Sequence, residues 1–251
     1  MKRTQKILSS LLPIITFGCI IAVWAVAAAA VGSEYVLPSV SLTFSALVEL
    51  FCDGSFYLSY ALTVLRVVVA FILSFALAFG GAFLAKRYSA AEKIINPIIS
   101  VLRCLPTVAV VLLLMFWTSS QVAPVIVTML VVLPVLYTNL RAALDTVDED
   151  VVQMCSLFGV DKKKVFYKVK LPAILPPVTL AVGSGLSLNL KLMVAAEVLA
   201  ATANSIGAKL AFSNYNLQVA TMIALVVVTV VTGVIIESVF GYLSKKVVKG
   251  K

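Results

Sequence analysis

The chain has 251 residues, 62% of them hydrophobic and only 12% charged, with a formal net charge of +9. A soluble globular domain carries about 25% charged residues, so that class is excluded, and the apolar material suffices for roughly five to seven membrane spans. The basic residues punctuate apolar runs instead of gathering in one patch, which argues for membrane topology and against nucleic-acid binding.

In chain order, Lys2, Arg3 and Lys6 precede the first apolar run, residues 7–31, which exceeds the apolar core of about 7–15 residues in a cleaved signal peptide and reads as span one. Residues 32–57 contain Glu34, Pro38, Glu49 and Asp53 but no Lys or Arg, as expected of an external loop, with a short interfacial helix over 42–51. Span two covers 62–85, with Arg66 near its outer end, and Lys86, Arg87, Glu92 and Lys93 form a cytoplasmic turn. Span three, 94–117, is interrupted by Pro97 and Pro106, and an uncharged link leads to span four, 122–140, which ends at Arg141. A long polar stretch follows over 145–170, then span five (177–200), an external loop with Asn204, Lys209 and Asn214, and span six (217–243). Lys245, Lys246, Lys249 and Lys251 close the chain.

Sorted by these boundaries, the basic residues outside the spans fall into four inner groups, with Lys209 outside. Basic bias in short loops orients membrane helices. The expected fold is therefore all-α and polytopic, with six transmembrane helices in one domain spanning 1–251 and both termini in the cytoplasm. Cys19, Cys52, Cys104 and Cys155 show no CxxC spacing and are expected to be small packing residues. Without histidine, the commonest acid–base group and metal ligand is absent, and neither a catalytic nor a metal site is expected.

No GxxxxGK[ST] phosphate cradle occurs, so ATP coupling would need a separate ATPase docked on a cytoplasmic element. Only the 145–172 segment has the size. Asp145, Asp148, Glu149 and Asp150 suit a helix N-terminus, Val151–Phe158 supplies two apolar turns, and Gly159 suits a stop. Asp161 can cap a second helix over 162–168, and Leu171-Pro172 is expected to turn the chain back to the membrane.

This order resembles the signature loop of permease subunits of binding-protein-dependent ABC importers, which reads Glu-Ala-Ala, three residues, Gly, nine residues, Ile, one residue, Leu-Pro. Gly159, Val169, Leu171 and Pro172 keep that spacing, while Gln153-Met154-Cys155 stand in place of Glu-Ala-Ala. Leu37-Pro38-Ser39, Thr63 with Arg66, Arg103 with Pro106, and Ala195-Ala196-Glu197 are similar to the nitrate, sulfonate, taurine and bicarbonate branch. Leu112 and Phe116-Trp117-Thr118-Ser119 depart from that branch's second proline and Trp-Phe-Gly run. The resemblance implies the type I importer permease fold and a homodimer in the bacterial plasma membrane. It also implies two ATPase subunits that bind ATP and Mg, and an external binding protein that delivers a small organic or inorganic anion such as a sulfonate, taurine or nitrate. A thiamine-precursor-like pyrimidine is the alternative substrate.

Charges within spans are functional candidates by default. Lys191 and Glu197 lie inside span five, about 120° and about 9 Å apart on a helix, so they are not expected to pair directly. Lys191, Glu197, Arg103 and Asn189 are the candidate pathway residues, with a structural salt bridge to another span as the competing reading for Glu197; Arg66 and Arg103 lie near span ends, where a long side chain can reach the interface in a structural role, and Glu237 has no assigned role. Two rival classes remain: a self-contained secondary transporter, disfavoured by the lack of inverted repeats, and an intramembrane enzyme using Ser187 and Lys191 four residues apart.

Overall fold

The computed structural model describes residues 2–249, although the side chains of 2–14, 17 and 247–249 lie outside the described residues. The side chains of Lys2, Arg3, Lys6 and Lys249, and the whole of Lys251, lie outside the described residues.

The chain is helical: α1 (Lys2–Val31), α2 (Val40–Cys52), α3 (Gly54–Arg87), α4 (Ser89–Cys104), α5 (Thr107–Trp117), α6 (Ala123–Asp145), α7 (Glu149–Leu157), α8 (Lys162–Val165), a π turn (Phe166–Lys170), α9 (Leu171–Leu199), α10 (Ile206–Tyr215) and α11 (Val219–Lys249). Among the described residues, four helices are long and apolar enough to cross a membrane: α3, α6, the continuous helix Lys162–Leu199, and Val219–Lys246 of α11; the expected span one (7–31) lies partly outside the described residues, which show the apolar stretch Gly18–Val31. The pair α4 and α5 makes a fifth if it is counted as one broken span.

Several expectations change. The anticipated span three is two helices bent by 96°. Pro106 has no N–H and forces the preceding Leu105 out of helical conformation, to ψ 124°, so the chain turns there. Leu171-Pro172 does not turn the chain. The π turn runs directly into α9, with Leu171 N–H donating to Phe166 O, and its wider coil accommodates the Pro172 ring that a regular α turn would press against a carbonyl. The segment around Lys209, expected to be an external loop, contains a ten-residue helix, α10. Span two starts earlier, at Gly54, whereas the interfacial helix expected at 42–51 is present as α2, capped by Ser39, whose hydroxyl accepts from Leu42 N at 3.2 Å. Cys19, Cys52 and Cys104 are exposed and Cys155 is half-buried, so they lie at the surface and not in a packed core.

Residue contacts divide the chain into two compact units, 1–58 with 209–228, and 59–208 with 229–251. In the first, Trp24 Nε1 donates to Pro38 O at 3.2 Å, and Lys209 Nζ lies 2.8 Å from both Asp53 Oδ2 and Ser55 Oγ. The second holds the main core, where Phe71, Ala78 and Ala82 of α3 meet Val132, Leu136 and Leu140 of α6. α9 packs along α6 so closely that a Cβ at Gly185 would stand 2.6 Å from Leu136 Cδ2 and 3.1 Å from Phe71 Cε2. Glycine is what lets these helices approach.

Candidate translocation and coupling sites

α9 carries most of the candidate pathway residues, and its burial pattern separates them. Glu197 is fully buried. Arg66 Nη1 donates to its Oε1 at 2.9 Å, Thr63 Oγ1 sits 3.0 and 2.9 Å from its two oxygens, and Gly207 N donates to Oε2 at 3.3 Å. A buried carboxylate must be paired and hydrogen-bonded, and each of these partners serves that need. Thr63 Oγ1 also accepts from Ile206 N at 3.0 Å, and Arg66 donates to Gln121 Oε1 and to Ala203 O. The carboxylate thus joins α3 and α9 to the start of α10 and, through Arg66, to the link before α6.

The turn between α9 and α10 is built for this contact. Ala201 and Asn204 adopt positive φ (47° and 49°), and Thr202 N–H bonds back to Glu197 O at 3.0 Å. At Gly207 a Cβ would stand 2.4 Å from Glu197 Cβ and 2.6 Å from Val198 N, so only glycine allows this approach.

Asn189 is also fully buried, donating its amide to Val67 O at 3.0 Å, with its Oδ1 unpartnered. Lys191 differs: it is exposed, without a hydrogen-bond or ion-pair partner among the described residues. It shares an exposed stripe of α9 with Leu180, Ser184, Ala195 and Leu199, at helical spacing. Arg103, at the end of α4, donates to Thr138 Oγ1 on α6. The structure therefore does not gather the four candidates into one cluster. Ser187 is buried while Lys191 is exposed, and no hydrogen bond joins them, which leaves no Ser–Lys dyad.

The 145–172 segment forms a helix, turn and helix. Asp148 caps α7, its Oδ1 accepting from Asp150 N at 2.9 Å, Gly159 takes φ +66°, and Asp161 Oδ1 accepts from Lys163 N at 3.4 Å. Gln153, Met154 and Gly159 are exposed and Cys155 half-buried, while Val169, Leu171 and Pro172 lie half-buried in the helix leading to α9. Within this segment the most exposed apolar side chains are Leu157 (85%) and Phe158 (81%), with Met154 (56%) exposed on the same short helix. Leu157 and Phe158 do not belong to the expected coupling set; an apolar pair directly before a turn glycine was the available signal. Lys86 Nζ, at the end of α3, contacts Asp145 Oδ1 at 2.8 Å and Glu149 Oε1 at 3.1 Å, and Arg141 pairs with Asp145 and with Glu92 Oε1 at 3.6 Å. This charge cluster links α3, α4 and α6 to the first residue of α7.

Residues 78–249 match the family of binding-protein-dependent transport system inner membrane components, and the chain belongs to that family of ABC transporter permeases. It is similar to the glycine betaine/proline betaine transport system permease protein ProW of Escherichia coli K12, 29% identical over 146 residues, 57% of this chain and 41% of that protein. The Salmonella typhimurium ProW is 28% identical over 121 residues, 48% of this chain and 34% of that protein. The chain thus matches well under half the length of these curated relatives. A chain in the crystal structure of an amino acid ABC transporter with histidines shares the fold, with TM-score 0.61 at 12% identity, covering 75% of this chain and 92% of that one. These relatives do not carry the nitrate, sulfonate, taurine and bicarbonate assignment expected from Thr63, Arg66 and Ala195-Ala196-Glu197.

Proposed function

We propose that the chain is one permease domain of an ATP-driven importer in the bacterial plasma membrane, with six spans and cytoplasmic termini, working as a homodimer with two ATPase subunits and an external binding protein. ATP and Mg reside in the ATPases, and this chain holds no cofactor. The observation that carries the reading is the protruding Met154, Leu157 and Phe158 surface on a capped helix, in a segment spaced like an importer coupling loop. Exposed apolar clusters of this kind mark contact sites. Movement of α7 would pass through the Lys86 and Arg141 ion pairs to α3, α4 and α6, alternating the pathway between its two openings.

The solute carries an anionic head, with Lys191 as its contact on the exposed stripe of α9. A sulfonate, taurine or nitrate fits that chemistry. So does a carboxylate, as in the betaines and amino acids named for the relatives. Arg103 stands as a second cation, and Glu197 and Asn189 shape the helices behind the pathway. Replacing Leu157 and Phe158 with serine should release the ATPase during co-purification while the permease itself remains folded in the membrane; retention of the ATPase at the native ratio would overturn the coupling assignment.

A further inference from the structure

Glu237 lies on α11, about 12 Å along the helix from Lys245. It is exposed and, among the described residues, no Lys or Arg pairs with it. Glu237 lines a groove of about 580 Å³ between α6, α9 and α11, together with Asn139, Thr146, Pro177, Ser184 and Leu180. Ser184 donates its hydroxyl proton to Leu180 O at 3.1 Å, which leaves its oxygen able to accept, and Thr146 likewise donates to Ala143 O at 2.7 Å. The groove therefore offers one full negative charge and several oxygen acceptors, with no cation of its own. Its remaining walls are apolar, from Pro177, Leu180 and Ala181. A hydrated metal ion gains little from such walls, whereas an alkylated ammonium group, charged at the centre and apolar at its rim, matches them.

Ser184 and Lys191 are seven residues apart on the same face of α9, two turns or about 10 Å. A solute moving along that face would meet a cation at Lys191 and a carboxylate two turns further on.

We infer that Glu237 is a binding site for the ammonium group of the transported solute, placing that solute among small zwitterions. The inference rests on the importer reading for its direction of travel, but the binding it requires can be measured on this chain alone. In lipid nanodiscs, modification of Glu237 by a water-soluble carbodiimide is followed by peptide mass spectrometry in tetramethylammonium chloride or in sodium isethionate, an anion lacking an amine. Tetramethylammonium should slow modification of Glu237 several-fold while exposed Asp150 reacts at an unchanged rate. Equal rates for Glu237 in the two salts overturn the site. In the assembled importer, Glu237→Gln should lower glycine betaine uptake several-fold and Glu237→Asp should restore part of it; undiminished uptake by Glu237→Gln also overturns it. An assembly that imports no solute, with tetramethylammonium protection intact, counts against the importer reading and leaves this site standing.

Discussion

Arg66 on α3 and Glu197 on α9, 131 residues apart in sequence, meet at 2.9 Å with the carboxylate fully buried and the guanidinium side chain 12% exposed. A buried pair of this kind is weak evidence of net stability, since desolvating both charges offsets much of their attraction. Its consequence is positional. The carboxylate can be satisfied only if Thr63, Arg66 and Gly207 are all in place, which fixes the turn after α9 against α3.

Removing one partner of a buried pair costs about 3–5 kcal/mol, because the other charge is left uncompensated. Arg66→Met should therefore lower the thermal midpoint of the purified protein more than Glu197→Gln, which keeps a polar group for Thr63 and Gly207. The double variant should be more stable than Arg66→Met alone, as read from a double-mutant cycle of thermal midpoints.

At Gly207 the new methyl of an alanine meets backbone as well as side chain. Overpacking of this kind costs about 1–3 kcal/mol. Gly207→Ala should reduce the yield of folded protein in detergent chromatography, whereas alanine at Gly241, with open space around it, should behave like the native chain.

The Lys86 contacts are partly exposed, with the Lys86 side chain 30% accessible and Glu149 67%, so their stabilising effect is about 0–1 kcal/mol. Lys86→Met should leave the thermal midpoint nearly unchanged. If these pairs transmit α7 movement, the same variant should keep ATP hydrolysis and lose most solute uptake, a separation visible when both rates are measured on one preparation.

The hydrogen bond from Lys209, followed by those from Ser55, holds the Asp53 carboxyl well below its ordinary value of 3.8. A depressed carboxylate stabilises the fold above that ordinary value, and the contribution is lost as pH falls through the lower folded value. The stability difference between the native protein and Asp53→Asn should be constant near neutrality and shrink below about pH 4. A difference that grows on acidification would contradict the assignment.

Local features were legible in the residues themselves. Asp148, Gly159 and Asp161 mark helix ends through their own backbone chemistry, and the 145–172 segment has the anticipated helix, turn and helix. Pro106 signalled an interruption, although its size, a 96° bend, depends on what packs around it. Long-range features were not legible. Nothing near Glu197 names Arg66 as its partner, since the pairing depends on which faces of α3 and α9 meet. The π turn at 166–170 has no compositional signature, so Leu171-Pro172 read as a turn. α10 was missed because its ten residues carry polar side chains, among them Lys209 and Asn214, without a clear apolar period.

The most direct test of the account is ATP-dependent uptake into proteoliposomes containing this chain with the proposed ATPase and binding protein, comparing the native chain with the Leu157→Ser/Phe158→Ser variant. The account predicts solute accumulation that requires ATP, the binding protein and an intact α7 surface. Uptake that proceeds without ATP, or that survives loss of that surface undiminished, would contradict it.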